Sequence, residues 1–208
     1  MSLEEILGKH ISTDNDALLL LKEELEIDYN AAFQYDVLGN DYRGMHNYVE
    51  LFRYKLIGAK GFESFLQELE NSGIEKLKLL VSIGFSYDWA ANAAGHLKFW
   101  NTCSKCDARA KHHYEQALNL AKSLSEKSYG SREISNYREI KELLNQAEKG
   151  LKWIEDRENN RLPKKLRENT RNPPSPKKLS RPFHLQGRRI IYPQLADNDL
   201  DSTINGNK

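Results

Sequence analysis

The first 160 residues contain no proline, and all six prolines of the 208-residue chain (Pro163, Pro173, Pro174, Pro176, Pro182 and Pro193) lie beyond them. Proline fixes φ and removes a backbone donor, so a long stretch without it leaves helix open throughout. The same stretch is rich in Leu, Ala, Glu and Lys, which lose little on entering a helix. Charge divides at the same point. Residues 1–160 hold 20 Lys/Arg against 26 Asp/Glu, whereas residues 161–208 hold 11 against 4. The expectation is an all-α body over residues 1–160, a multi-helix bundle or short helical-repeat array of five to seven helices. A disordered, basic, proline-containing tail over 161–208 is expected to follow, because it holds too few large apolar residues to offset its ordering entropy. No alternating β pattern of convincing length interrupts the body.

Taken in order, Ser2 to Glu5 forms a capping-box pattern for a short helix ending near Gly8. Thr13 to Asp16 opens a long helix predicted to run to about Leu38, with Leu18, Leu21, Leu25 and Ala32 on its buried face. Met45, Tyr48, Val49, Phe52 and Leu56 make the next stripe, closed by Gly58. Phe62, Phe65, Leu66 and Leu69 make a third, ended by Asn71-Ser72-Gly73. Ile74 to Phe85 follows. Ser86 or Asp88 is then read as the cap of a helix through Ala90, Ala91, Ala93, Ala94 and Gly95, whose small side chains place it centrally. Two longer helices are expected between Cys106 and Asp156, interrupted at Ser128-Tyr129-Gly130, with Ser131 capping the second. The first carries Ala110, Tyr114, Ala117, Leu118 and Ala121 on one face. The second carries Tyr137, Ile140, Leu144, Ala147, Leu151 and Ile154.

His96, Cys103, Cys106, His112 and His113 are the metal-ligand types within this region. Cys-x-x-Cys is the spacing by which a turn offers two thiolates to zinc. With a helix beginning at Cys106, His112 and His113 lie roughly 9–10 Å along its axis, too far to join the same ion. The candidate zinc set is therefore Cys103, Cys106 and His96, one ligand short, and unpaired thiols at a helix start are the leading reading. A redox role would draw on the helix N-terminus and Lys105 to lower the thiol pKa, but no strand precedes the motif as a thioredoxin-like site requires. No catalytic residue or cofactor site is assigned: there is no Glu-x-x-His, His-Glu-x-x-His, Gly-x-Ser-x-Gly or phosphate-loop pattern. An enzymatic reading would rest on a polar cleft among His46, His96, Arg109 and His112.

Two resemblances bear on these residues. Arg109 with His112 or His113, and Arg43 with His46, resemble the Arg…His pairs of helical HEPN ribonucleases. That family's motif separates the pair by more than the two or three residues found here, so the activity is not carried over. Ala110-Lys-His-His-Tyr114-Glu-Gln-Ala117-Leu118 resembles the second helix of a tetratricopeptide repeat, over about fifteen residues reaching Ala121. At the first-helix positions Ala94, Leu97-Lys98 and Asn101 stand, and only the Leu matches. The resemblance implies a scaffold or peptide-binding groove.

In the basic segment, Lys164-Lys165 and, after eleven intervening residues, Lys177-Lys178-Leu179-Ser180-Arg181 resemble a bipartite nuclear localisation signal. Ser175-Pro176-Lys177-Lys178 resembles both a proline-directed phosphorylation site and the minor-groove-binding motif of linker histones. Arg188-Arg189 precede the apolar Ile190-Ile191-Tyr192. Lys164, Lys165, Lys177, Lys178, Arg181, Arg188 and Arg189 are thus the expected contacts for a partner of opposite charge. The expected function is a non-enzymatic scaffold or adaptor binding a protein, with the tail adding electrostatic contacts. The alternative is a nucleic-acid-associated protein touching phosphates through residues 161–208. No apolar run approaches the roughly 20 residues that span a bilayer. Met1–His10 lacks the pattern of a secretory signal, so the expected location is intracellular and cytoplasmic, or nuclear where the bipartite signal acts.

Overall fold

The structure, a computed structural model, describes residues 2–25, 27–69, 73–128 and 134–161. Among them it is all-α, a bundle of seven helices with no strand: α1 (Leu3–Gly8), α2 (Asp14–Lys22), α3 (Tyr29–Gly44), α4 (Tyr48–Glu68), α5 (Ile74–His96), α6 (Trp100–Ser128) and α7 (Ile134–Arg161). Ser2 and Thr13 both cap the helices that they were expected to open, each in a capping box. Ser2 accepts from the Glu5 amide at 3.2 Å and Thr13 from the Asp16 amide at 3.2 Å, and both acids reach back.

The central element is α5, packed against α4, α6 and α7. It is buried almost all round, from Leu77 through Tyr87 and Trp89 to Ala93 and Ala94. The run of alanines lets α6 approach closely: the Cys103 thiol donates to the Ala91 carbonyl at 2.9 Å. α6 and α7 lie antiparallel, since Asp107 meets Arg157 and Tyr114 meets Gly150. Of the α6 stripe predicted from spacing, Ala110, Tyr114, Ala117 and Ala121 are buried and Leu118 is half-buried. On α7, Ile140, Ala147 and Ile154 are buried as expected and Leu143 joins them, whereas Leu144 and Leu151 are half-buried and Tyr137 is exposed. The link between these helices, including Tyr129, Gly130 and Ser131, lies outside the described residues.

Boundaries differ from the sequence reading in several places: α3 runs on to Gly44 instead of ending near Leu38, and four other differences each have a physical reason. The predicted helix from Thr13 to Leu38 is two helices, because Asp28 caps α3 by accepting from the Ala31 amide at 2.9 Å. The Lys60 ammonium meets the orphan carbonyls where α2 ends, donating to Leu21 at 3.1 Å and to Glu23. Gly58 does not close a helix but lies inside α4. A Cβ there would come within 2.8 Å of Asp36 on α3, so the glycine permits that approach. Ser86 and Asp88 are not caps; both are buried inside a continuous α5. Finally, α6 opens at Trp100 rather than Cys106, capped from afar. Asp14, at the start of α2, accepts from the Asn101 and Thr102 amides at 3.0 Å each.

Candidate functional site

Among the described residues, three polar clusters each join three helices. At the first, the fully buried Lys55 of α4 donates to the Asp36 carboxylate at 2.9 Å and its carbonyl at 2.8 Å. Ser86 of α5 donates to the same carboxylate at 2.6 Å, so three helices meet on one anion. Burial lowers the Lys55 pKa against the pull of Asp36.

At the second, Arg157 of α7 reaches two buried carboxylates. It donates to Asp107 of α6 through Nε at 3.1 Å and Nη2 at 2.8 Å, and to Asp88 of α5 through Nη2. Burial works against the Arg157 charge, but the two carboxylates outweigh it and raise its pKa. Burial pushes the Asp88 carboxyl up to about 6 even with Arg157 in contact.

The third cluster has the mixture of groups that chemistry uses. Glu63 of α4 accepts from the Tyr87 hydroxyl of α5 at 2.6 Å, and its other oxygen lies 2.9 Å from His113 Nε2 of α6. Arg109, one turn before His113, donates to the Tyr87 oxygen at 2.8 Å and sits over that ring, 5.4 Å from its centroid. The side chains of Glu63 and Arg109 are 28% and 38% exposed, so the quartet opens to solvent on one side. Burial works to raise the Glu63 carboxyl. Hydrogen bonds from His113 and Tyr87, with the charges of His113 and Arg109, outweigh it and hold Glu63 below the ordinary carboxylate range. Nearby Lys60 is brought down to about 8 by burial and by the Arg109 charge. His113 Nδ1 is buried with no hydrogen-bond partner among the described residues. Chemically the quartet is a carboxylate-oriented imidazole beside a guanidinium, and its contacts join α4, α5 and α6.

The residues named from sequence are placed apart. Arg109 joins the quartet with His113, while His112 faces Gln116 on the surface, its Nε2 at 3.0 Å from the amide nitrogen. His46 and His96 lie elsewhere, both against Tyr48: the His96 ring stacks on it at 4.1 Å, and His46 Nδ1 lies 3.3 Å from its hydroxyl. The polar cleft expected among His46, His96, Arg109 and His112 is therefore two separate places. Cys103 and Cys106 are buried in the first turns of α6, and His96 is exposed. Among the described residues no group of three or more His, Cys, Asp or Glu is arranged to hold a metal ion. Burial, with Cys103 and Asp107 nearby, raises the Cys106 pKa, the reverse of the activation a redox thiol needs. Lys164, Lys165, Lys177, Lys178, Arg181, Arg188 and Arg189 lie outside the described residues.

Sequence reasoning passed over Glu63, Tyr87 and Arg157. The available signal was a charge inside an apolar stripe: Asp107 follows Cys103 by four and precedes Ala110 by three, and Arg157 follows Ile154 by three. Among the described residues no helix is long and apolar enough to cross a membrane. No protein-family model matches the chain, and comparison with curated proteins and with solved structures finds no significant match.

Proposed function

We propose that the chain is a non-enzymatic helical scaffold that binds a protein partner, with the basic segment after α7 adding electrostatic contacts. One observation carries the reading: Arg53, Lys55, Lys60, Lys78, Asp88 and Asp107, all buried, are each engaged by a group on another segment of the body. Charges used this way brace helices against one another and present a stiff surface to a partner. On that surface Leu38 of α3 and Met45, which caps the end of α3, are exposed apolar side chains. The likeness of Ala110–Ala121 to a tetratricopeptide helix points to the same class of function.

The test is co-purification from native lysate of the full chain and of a Leu38→Ser/Met45→Ser variant. A protein retained by the first and lost by the second is the expected result. Identical recoveries would remove α3 from the reading. A second reading, contact with nucleic acid phosphates through residues 161–208, is favoured by the excess of 11 Lys/Arg over 4 Asp/Glu there. It predicts a salt-sensitive gel shift that disappears when those residues are deleted. A shift that survives deletion would place nucleic acid on the body instead.

A further inference from the structure

Arg157 is divided unequally between its two acids. Among the described residues, Asp107 accepts from both Nε and Nη2, whereas Asp88 accepts from Nη2 alone and shares it. The Asp88 side chain is only 5% exposed. A carboxylate with one shared donor and almost no water is poorly compensated as an anion, and the way out is to hold a proton instead. The groups facing it are few. From α7 there is Arg157, and from α6 there are Asp107, a second acid, and the ring of Tyr114, on which its charge acts. Lys55 and Asp36 close their own pair at Ser86, two residues away on α5, and Lys60 and Arg109 act on Cys106 rather than on Asp88.

We propose that Asp88 is a proton-binding site built into the contact between α5, α6 and α7, so that the seating of α7 tightens as pH falls from neutral into the mildly acidic range. When α7 leaves, Asp88 gains water and returns towards the ordinary aspartate value, so seating and proton uptake are linked. Because burial raises the carboxyl to about 6 in the seated state, the stabilisation is fully present below the ordinary aspartate range. It is lost as pH rises through about 6. Arg157 remains charged throughout and Asp107 remains its partner, so α7 is held more weakly above that point without being released.

Urea unfolding of the full chain at about pH 4.5 and about pH 7.5, for the natural protein and for Asp88→Asn, tests this. Asparagine keeps an acceptor for Arg157 and cannot ionise. The folding constant of the natural protein, relative to that of Asp88→Asn, is expected to fall about tenfold or more from the lower pH to the higher. The same pH dependence in both proteins overturns the proposal. Should Asp88→Asn fail to fold, the Asp88 carboxyl carbon followed by NMR in the natural protein decides the matter. A midpoint well above that of ordinary aspartate supports the site, and one at or below it overturns it.

Discussion

The Asp88–Asp107–Arg157 triad and the Glu63–Tyr87–Arg109–His113 quartet each bring a guanidinium to carboxylate from a neighbouring helix, two acids in the first and one in the second, yet they meet water differently. In the triad both acids are buried, at 5% and 1% exposure, and Arg157 is the counter-ion that the structure provides for Asp88. In the quartet the carboxylate is partly open and receives a phenol and an imidazole, while Arg109 donates to the phenol and stands 3.9 Å from the carboxylate. What decides the importance of an ion pair is therefore not its geometry alone but what remains if one partner leaves. A solvated carboxylate with two other donors is tolerable; a dry one without its cation is not.

The contrast is sharpest at Tyr114. Its fully buried ring fills a notch between Gly84 of α5 and Gly150 of α7, close to the triad. Tyr114→Ala is expected to cost about 3–5 kcal/mol, as loss of a core aromatic does, read from urea denaturation. Gly150→Ala probes the same notch from the other side. A Cβ there would run into the Tyr114 ring, which is itself hemmed in by Gly84, and a loss of about 1–3 kcal/mol is expected. If that variant were as stable as the natural protein, the triad side would be looser than described.

On the quartet side, Glu63→Gln should cost only about 1 kcal/mol at neutral pH, because the amide still accepts from Tyr87. The pH dependence is the sharper reading. Glu63 is held below the ordinary carboxylate range, so its stabilisation is present above that range and lost as pH falls through its folded-state value. Asp88, raised by burial, has the opposite sign. The two regions thus pull the acid limb of the stability profile in opposite directions, and Glu63→Gln should flatten the quartet's share alone. A smaller effect serves as a control away from both. Lys98 closes α5 in the left-handed region at φ 63°, bonded to Gly95 at 3.1 Å, with Phe99 bonded to Ala94 at 2.8 Å. Lys98→Gly should raise stability by about 0.5–1 kcal/mol and leave the pH profile unchanged.

Helix content and the buried faces of α6 and α7 were legible because they depend on spacing along one segment, as Ala110, Tyr114, Ala117 and Ala121 illustrate. Glycines and capping residues were ambiguous because the same residue serves two purposes. Gly58 reads as a helix stop, but here it opens space for α3, and Asp88 reads as a cap while it is a buried carboxyl inside α5. Which meaning holds depends on residues far away in sequence: Asp36 for Gly58, Arg157 for Asp88. Arg109 and His113 were visible as an Arg…His pair. Glu63 and Tyr87, which give that pair its setting, come from two other helices and leave no local signature.

The most direct test compares Arg157→Met with Arg109→Met in the full chain by urea denaturation at neutral pH. Arg157→Met strands two buried carboxylates and is predicted to cost about 3–5 kcal/mol. Arg109→Met leaves Glu63 with His113, Tyr87 and water, and is predicted to cost about 1 kcal/mol or less. Equal losses, or a larger loss for Arg109→Met, would contradict the claim that α7 is held by charge buried between α5 and α6.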